Sequence, residues 1–322
     1  MKMNMVSAIN LALQQEMERD ESVVVMGEDV GVDGGVFRVT EGLIEKFGPD
    51  RVIDTPLSES GIVGTAIGMA MNGLRPVAEM QFMGFSYLSL NQMITHAARM
   101  RNRTRGRLSV PMVLRMPYGG GVKALEHHSE STEALYAQIP GLKVVVPSSP
   151  KQAKGLLTSS IRDPDPVVFL EPKRSYRLIK EEVPEEELTI PIGKARLVQE
   201  GDDVTVVGWG AMLPLIETAT KKLEDISTEI IDLRTISPMD TGTVLESVKK
   251  TGRAVVVQEA PRSFGVGAEI SARIMEKAVL HLEAPVERVA APDITVPLPR
   301  SEDYYYINPD RIMRGIAKVM EF

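Results

Sequence analysis

At 322 residues the chain is long enough for two domains or one large one, with ample capacity to bury a core. A formal net charge of −7 supplies no basic stripe for nucleic acid, and zero cysteines remove disulfides, thiolate catalysis and Cys-ligated zinc together. The N-terminus shows no charged-then-apolar leader and no apolar run approaches the ~20 residues of a membrane span, so the expectation is a cytoplasmic protein.

In chain order, short apolar runs alternate with helical patterns, the signature of an α/β fold with a parallel sheet covered on both faces. Strands are expected at Val23–Met26, Val52–Ile53, Arg75–Met80, Val113–Met116, Lys143–Val146 and Val167–Leu170. Helices are expected between them at Val6–Arg19, Ser60–Asn72, Tyr87–Met100 and Lys151–Ile161. Lys180–Glu187 is acidic, contains Pro184 and lacks periodicity, so it reads as a surface linker. A second alternating series follows, with strands at Val204–Val207, Thr228–Ile231, Ala254–Gln258 and Val286–Val289. Its helices are expected at Leu213–Lys222, Thr241–Thr251 and Gly267–Val279. Two domains result, residues 1–179 and 193–322, joined by a linker at 180–192. No glycine fingerprint for a dinucleotide occurs: Gly265-x-Gly267 fails at its third position.

Glu59 is the most informative residue. A short apolar strand leads through Pro56 into a turn, and Gly61, Gly64 and Gly68 then follow in a segment that reads as a helix. Glycine costs about 1 kcal/mol relative to Ala in a helix, so three of them mark close approach by a backbone or a flat ligand. A carboxylate at the start of that helix, among Leu57, Ile62 and Val63, sits where its protonated form is favoured. Two readings are open to it: a group prepared for proton exchange, or a helix N-terminal acid answering the macrodipole.

Among the four histidines, His96 reads as a half-buried helix residue and His281 has no visible partner. His127 and His128 follow the flexible Tyr118-Gly119-Gly120-Gly121 loop, just past an expected strand. Ligands gather at such strand ends, and histidine exchanges protons near neutral pH. Arg99–Arg107 is a local basic run that reads as a solvated helix end.

The segments Val-Val-Val-Met-Gly-Glu-Asp-Val (23–30), Gly-Gly-Val-Phe-Arg (34–38), Asp-Thr-Pro-Leu-Ser-Glu-Ser-Gly (54–61) and Gly-Leu-Arg-Pro-Val-Ala-Glu-Met-Gln-Phe (73–82) fall in one order. Glu-His-His-Ser (126–129), Pro-Gly-Leu-Lys-Val-Val-Val-Pro (140–147) and Ile-Asp-Leu-Arg-Thr-Ile-Ser-Pro (231–238) complete it. From about residue 4 to the C-terminus, this resembles the beta subunit of the thiamine-diphosphate-dependent decarboxylating component of 2-oxo acid dehydrogenase complexes. The resemblance implies a pyrimidine-binding domain at 1–179 and a transketolase C-terminal-like domain at 193–322.

It also implies roles. Glu59 faces N1′ of the aminopyrimidine of thiamine diphosphate and shares its proton. His128 matches the catalytic histidine, which donates to the developing oxygen of the substrate adduct and assists acyl transfer to lipoamide, with Ser129 helping to orient it. Phe85 matches the aromatic beside the pyrimidine; Gln81 and Leu57 line the same pocket, Leu57 through its backbone carbonyl, and Glu28 matches a second carboxylate. By residue type alone, Phe85 fits core packing and Glu28 a loop acid equally well. Carbonyls of Met112, Ser160, Asp163 and Asp165 match a structural potassium site; a Pro-terminated helix end followed by a turn fits the same residues. Asp165 stands where the family more usually has Asn.

One part of the family's site is missing. Members carrying a whole site have Gly-Asp-Gly followed by Asn for magnesium and diphosphate, whereas Gly201-Asp202-Asp203 falls in the second domain without the later glycine. The implied remedy is an alpha subunit that supplies magnesium and the phosphate cradle within an α2β2 heterotetramer. Beta–beta contact is expected through the C-terminal domains, which would also dock the subunit-binding domain of the dihydrolipoyl acyltransferase, whose lipoyl domain receives the acyl group. Gly35-Val36-Phe37-Arg38 and Gln81-Phe82 lean towards branched-chain 2-oxo acids, with pyruvate as the alternative. A split transketolase-type enzyme and a non-catalytic scaffold subunit stay open; the former needs phosphate readers, and the loop Tyr118–Leu125 offers only Lys123.

Overall fold

Asn4 opens the first helix, Met5–Arg19, by accepting the Ser7 N–H on its side chain at 2.9 Å. The same device recurs along the chain. Ser149 and Asn308 cap Pro150–Arg162 and Pro309–Met320, each with Pro at the first helical position, and Asp240 caps Thr241–Thr251. The computed structural model describes residues 1–322, and in it the chain forms two compact units. One contains Met1–Tyr118 and Leu135–Ile192, the other Gly119–Ala134 and Gly193–Phe322.

In the first unit six parallel strands run in the order Lys143–Val145, Val167–Pro172, Val113–Tyr118, Arg75–Glu79, Val23–Gly27, Val52–Asp54. Three of these strands, Val23–Gly27, Val113–Tyr118 and Val167–Pro172, are buried along their whole length, as expected for a sheet covered on both faces. Helices Met5–Arg19 and Pro150–Arg162 pack together through Ile9, Ala12, Leu13, Leu156, Leu157 and Ile161. The Arg162 guanidinium reaches across to the buried Glu16 carboxylate at 2.6 and 2.9 Å. In the second unit the strand order is Glu287–Ala291, Ala254–Pro261, Val204–Gly208, Thr228–Asp232, Arg196–Gln199, parallel except for the last strand.

The structure departs from the sequence reading in several places. The expected helix Tyr87–Met100 is broken into 3-10 and α pieces, Met83–Ser89, Leu90–Thr95, Ala97–Arg99 and Met100–Arg103, and His96 is exposed. Ser86 and Ser89 hydroxyls donate to the carbonyls of Met83 and Ser86, which competes with regular helix hydrogen bonding. The segment 180–192 is no free linker. Glu181–Glu182 pairs antiparallel with Lys2–Met3, and Ile190 and Ile192 pack on the first core. The buried Lys154 ammonium donates to the carbonyls of Pro184, Glu185 and Glu186 at 2.6, 3.2 and 2.7 Å. Lastly, Gly119–Ala134, with both neighbouring histidines, belongs to the second unit.

Candidate functional site

The residues expected around the aminopyrimidine, Glu28, Leu57, Glu59, Gln81 and Phe85, all fall in the first unit. Glu59 is the first residue of helix Glu59–Met71 and is 6% exposed. Its side chain is largely buried, but its carboxylate oxygens are not among the chain's sealed, unpartnered polar atoms, so they stay within reach of a ligand. Glu28 stands half-buried at the end of strand Val23–Gly27. Its carboxyl is held above the ordinary range by burial first, then by the charges of Glu59 and Asp29. Gln81 donates its side-chain N–H to Asp29 Oδ2 at 2.8 Å, tying the turn after one strand to the turn after its neighbour. Glycines 61, 64 and 68 lie exposed on one face of the Glu59 helix, and a methyl group at Gly68 would meet nothing within 4 Å. Leu57 is exposed, its side chain 79% accessible.

Phe85 lies half-buried in the 3-10 turn Met83–Ser89, 5.4 Å edge-on from Phe82. Phe82 meets Phe37 at 5.5 Å, Phe37 meets Tyr176 at 5.2 Å, and the Lys173 ammonium lies 5.3 Å from the Phe82 ring. The Tyr176 hydroxyl donates to Glu171, which takes a two-pronged bond from Arg115 at 2.7 and 2.8 Å; Arg115 also bonds Glu79. Arg115 and Glu171 are wholly buried and Glu79 nearly so. This ionic cluster beneath the aromatic series escaped the sequence reading, because charged residues in an alternating strand default to a solvent face.

In the second unit, His128 is half-buried and closes the short turn Glu126–His128. His127 is exposed, its Nδ1 3.6 Å from the Glu130 carboxylate. Ser129 is buried and its hydroxyl donates to the Ala124 carbonyl at 3.3 Å, so it braces the loop backbone. The glycines before it are tethered. Gly119 N–H donates to the Glu130 carbonyl at 2.9 Å, Gly120 N–H to Glu259 Oε1 at 2.7 Å, and Gly121 N–H to Glu302 Oε1 at 2.9 Å. Sequence reasoning missed Glu259 and Glu302, since nothing local links positions 139 and 181 residues apart.

Beside them Glu133 is 1% exposed, with neither carboxylate oxygen in a hydrogen bond of normal geometry. Burial pushes its carboxyl up to about 7, helped by the charge of Glu259, while its own backbone N–H and the Trp209 side chain pull the other way.

Around the expected cation carbonyls, Val167 N–H donates to Met112 O at 3.0 Å, Asp163 N–H to Ser160 O at 3.3 Å, and Arg75 to Asp163 O at 3.3 Å. Lys143 bonds both Asp163 carboxylate oxygens at 2.6 and 2.7 Å, and Arg101 bonds Asp165 at 2.6 Å. Gly201-Asp202-Asp203 is a structural turn: Asp203 accepts the Ser227 N–H at 2.7 Å, and a Cβ at Gly201 would sit 2.2 Å from the Thr228 backbone. No helix is long and apolar enough to cross a membrane.

Comparison with known proteins matches two family descriptions, "Transketolase, pyrimidine binding domain" over residues 1–179 and "Transketolase, C-terminal domain" over residues 193–312. The chain is 58% identical over 317 residues to the pyruvate dehydrogenase E1 component subunit beta of Acholeplasma laidlawii, covering 98% of this chain and 97% of that one. It is 52% identical over 323 residues to the protein of the same name in Bacillus subtilis (strain 168), covering 100% and 99%. A solved split-gene transketolase, an inactive beta4 tetramer, superposes with a TM-score of 0.82 over 99% of this chain and 98% of that one, at 21% identity, a likeness of fold.

Proposed function

The chain belongs to the family of beta subunits of the thiamine-diphosphate-dependent decarboxylating component of 2-oxo acid dehydrogenases, and from that premise we propose that pyruvate is its substrate. The observation that carries the catalytic reading is Glu59, largely buried at a helix start with its charge felt by Glu28. When bound, thiamine diphosphate supplies the carbanion chemistry. Glu59 would hold and return a proton at N1′, with Glu28, Gln81, Phe85 and the Leu57 carbonyl around the pyrimidine. His128 would donate a proton to the developing substrate oxygen and serve acyl transfer to a lipoyl group. Both enzyme alternatives need a partner for the phosphates, and an alpha subunit carrying magnesium and the diphosphate cradle, in an α2β2 assembly that serves a dihydrolipoyl acyltransferase, fits a chain whose Gly-Asp turn is spent on structure.

The lean towards branched-chain acids drawn from residues 35–38, 81 and 82 gives way to pyruvate, the acid named in relatives more than half identical to this chain. Those residues have packing duties. A Cβ at Gly35 would sit 3.2 Å from Glu79, Phe37 and Phe82 meet edge-on in one aromatic series, and Gln81 ties two turns. Such duties are independent of acyl-chain length. The sugar-phosphate reading is further weakened because Lys123 pairs with Asp303 at 3.3 Å.

We extend the proposal to one monovalent cation on the carbonyls of Met112, Ser160, Asp163 and Asp165. Neutral oxygens with second lone pairs suit a hard cation. Potassium should then raise the unfolding temperature more than choline at equal ionic strength.

The main test is turnover of the reconstituted enzyme with pyruvate, 3-methyl-2-oxobutanoate and 4-methyl-2-oxopentanoate. The expected order puts pyruvate first in kcat/KM. Equal or better use of a branched acid overturns the substrate, and turnover of sugar phosphates alone overturns the reaction.

A further inference from the structure

We propose that Glu259 and Glu302 are positioning residues for the reaction: their carboxylates grip the glycine turn that leads to His128 and so set where that histidine stands. The inference rests on the reading of His128 given above, and it concerns the second unit alone. Glu259 projects from strand Ala254–Pro261 and Glu302 begins the short helix Glu302–Tyr305. Each is buried, at 5% and 1% exposure, and each accepts a backbone N–H from the turn. A third tether comes from Tyr306, whose hydroxyl donates to the carbonyl of Ser129, the residue after His128, at 2.9 Å. The turn is therefore held on both sides of the histidine by the chain's last third.

Geometry shows that the turn and its holders are fitted to one another. Gly119 has φ +77°, and a Cβ there would lie 2.8 Å from both Glu259 carboxylate oxygens. A Cβ at Gly120 would lie 1.7 Å from the Tyr306 hydroxyl. Only glycine allows this approach, so the glycine run serves fixed contact rather than mobility. Burying carboxylates is costly unless they are hydrogen-bonded, and bonds from N–H to an ionised oxygen are the stronger kind. Glu133, a third buried carboxyl beside Glu259, shows the pressure: burial and that neighbouring charge push it up to about 7. Holding the turn gives Glu259 and Glu302 a return for that cost. Neither need touch substrate or cofactor to act.

The test uses the full chain with its partner subunit and reads hydrogen exchange in peptides spanning residues 117–134 beside steady-state kinetics. Glu259→Ala should speed exchange there about ten- to a hundred-fold, as expected for losing a charge-assisted bond to a buried amide. Peptides around Glu59 should be unchanged. Turnover should fall with KM for the 2-oxo acid little altered, and Glu259→Gln, which keeps an acceptor oxygen, should restore slow exchange and most of the turnover. Tyr306→Phe, removing one hydroxyl, is the milder variant should Glu259→Ala fail to fold; it should give the same pattern, smaller. Unchanged exchange in the variants overturns the grip, and faster exchange with wild-type kcat overturns the positioning role. His128→Gln run in parallel separates the two ideas: wild-type turnover there sinks the reading of His128, while the exchange data still decide whether the carboxylates hold the turn.

Discussion

The charge of Glu59 reaches Glu28: burial is the larger cause of the raised Glu28 carboxyl, and Glu59 is the next. Glu28 therefore reports on the charge carried at position 59. Glu59→Gln removes the neighbouring charge but not the burial. The Glu28 pKa should therefore drop and yet stay above the ordinary glutamate value. Carbon-detected titration of glutamate side chains measures this directly, and a Glu28 midpoint indifferent to the substitution would break the electrostatic link.

The same substitution tests catalysis. Gln at position 59 keeps size and hydrogen bonding but cannot release a proton, and acid–base catalysis contributes roughly 10²–10⁴-fold. Turnover of the reconstituted enzyme should fall by about that factor. Cofactor affinity should fall far less, because the proposed alpha subunit would hold the diphosphate. Decarboxylation near the wild-type rate would remove Glu59 from its proposed role.

Much of the fold was readable because its elements are governed by local rules. Thr241–Thr251 was placed to the residue, since Asp240 caps it and Gly252 ends it in a left-handed conformation. The buried parallel strands betrayed themselves as runs of valine and isoleucine. Arg196–Gln199 was missed because it is an edge strand, mostly exposed, with no apolar alternation to detect. Within the candidate site, the place of Glu59 at a helix start was legible from a carboxylate set before small helix residues. The supports were not. Arg115 with Glu171, and Glu259 with Gly120, are partnerships between segments far apart in sequence, and pattern reading assigns such charges to water. Ser129, expected to help orient His128, donates its hydroxyl to the Ala124 carbonyl.

Arg115 is the strongest stability test. It is wholly buried between Glu171, held by two bonds, and Glu79. Arg115→Ala strips both buried carboxylates of their cation, leaving Glu171 only the Tyr176 hydroxyl, and breaking a buried pair in this way costs about 3–5 kcal/mol. The urea midpoint should shift down accordingly with little change in slope. Pairing the change with Glu171→Leu and Glu79→Leu should recover much of the loss, because the stranded charges are then gone. A midpoint shift under about 1 kcal/mol for Arg115→Ala would show that water reaches the cluster.

Glu133 gives a pH signature of known sign. Its carboxyl is pushed up to about 7 in the folded chain from 4.5, so the folded state binds the proton more tightly than the unfolded one. Stability is then greatest while the group stays protonated in both states. It falls as pH rises from about 4.5 to about 7, and levels off above that. At 1.36 kcal/mol per unit the cost by pH 8 is up to roughly 3 kcal/mol. Glu133→Gln stays neutral throughout and should escape this loss. The variant should match wild type near pH 4.5 and unfold at a higher temperature at pH 8, with the gap opening between those values. Thermal unfolding of the two proteins across that range decides it. A gap that is constant with pH would mean that the carboxyl ionises at its ordinary value and that water or another group meets its oxygens.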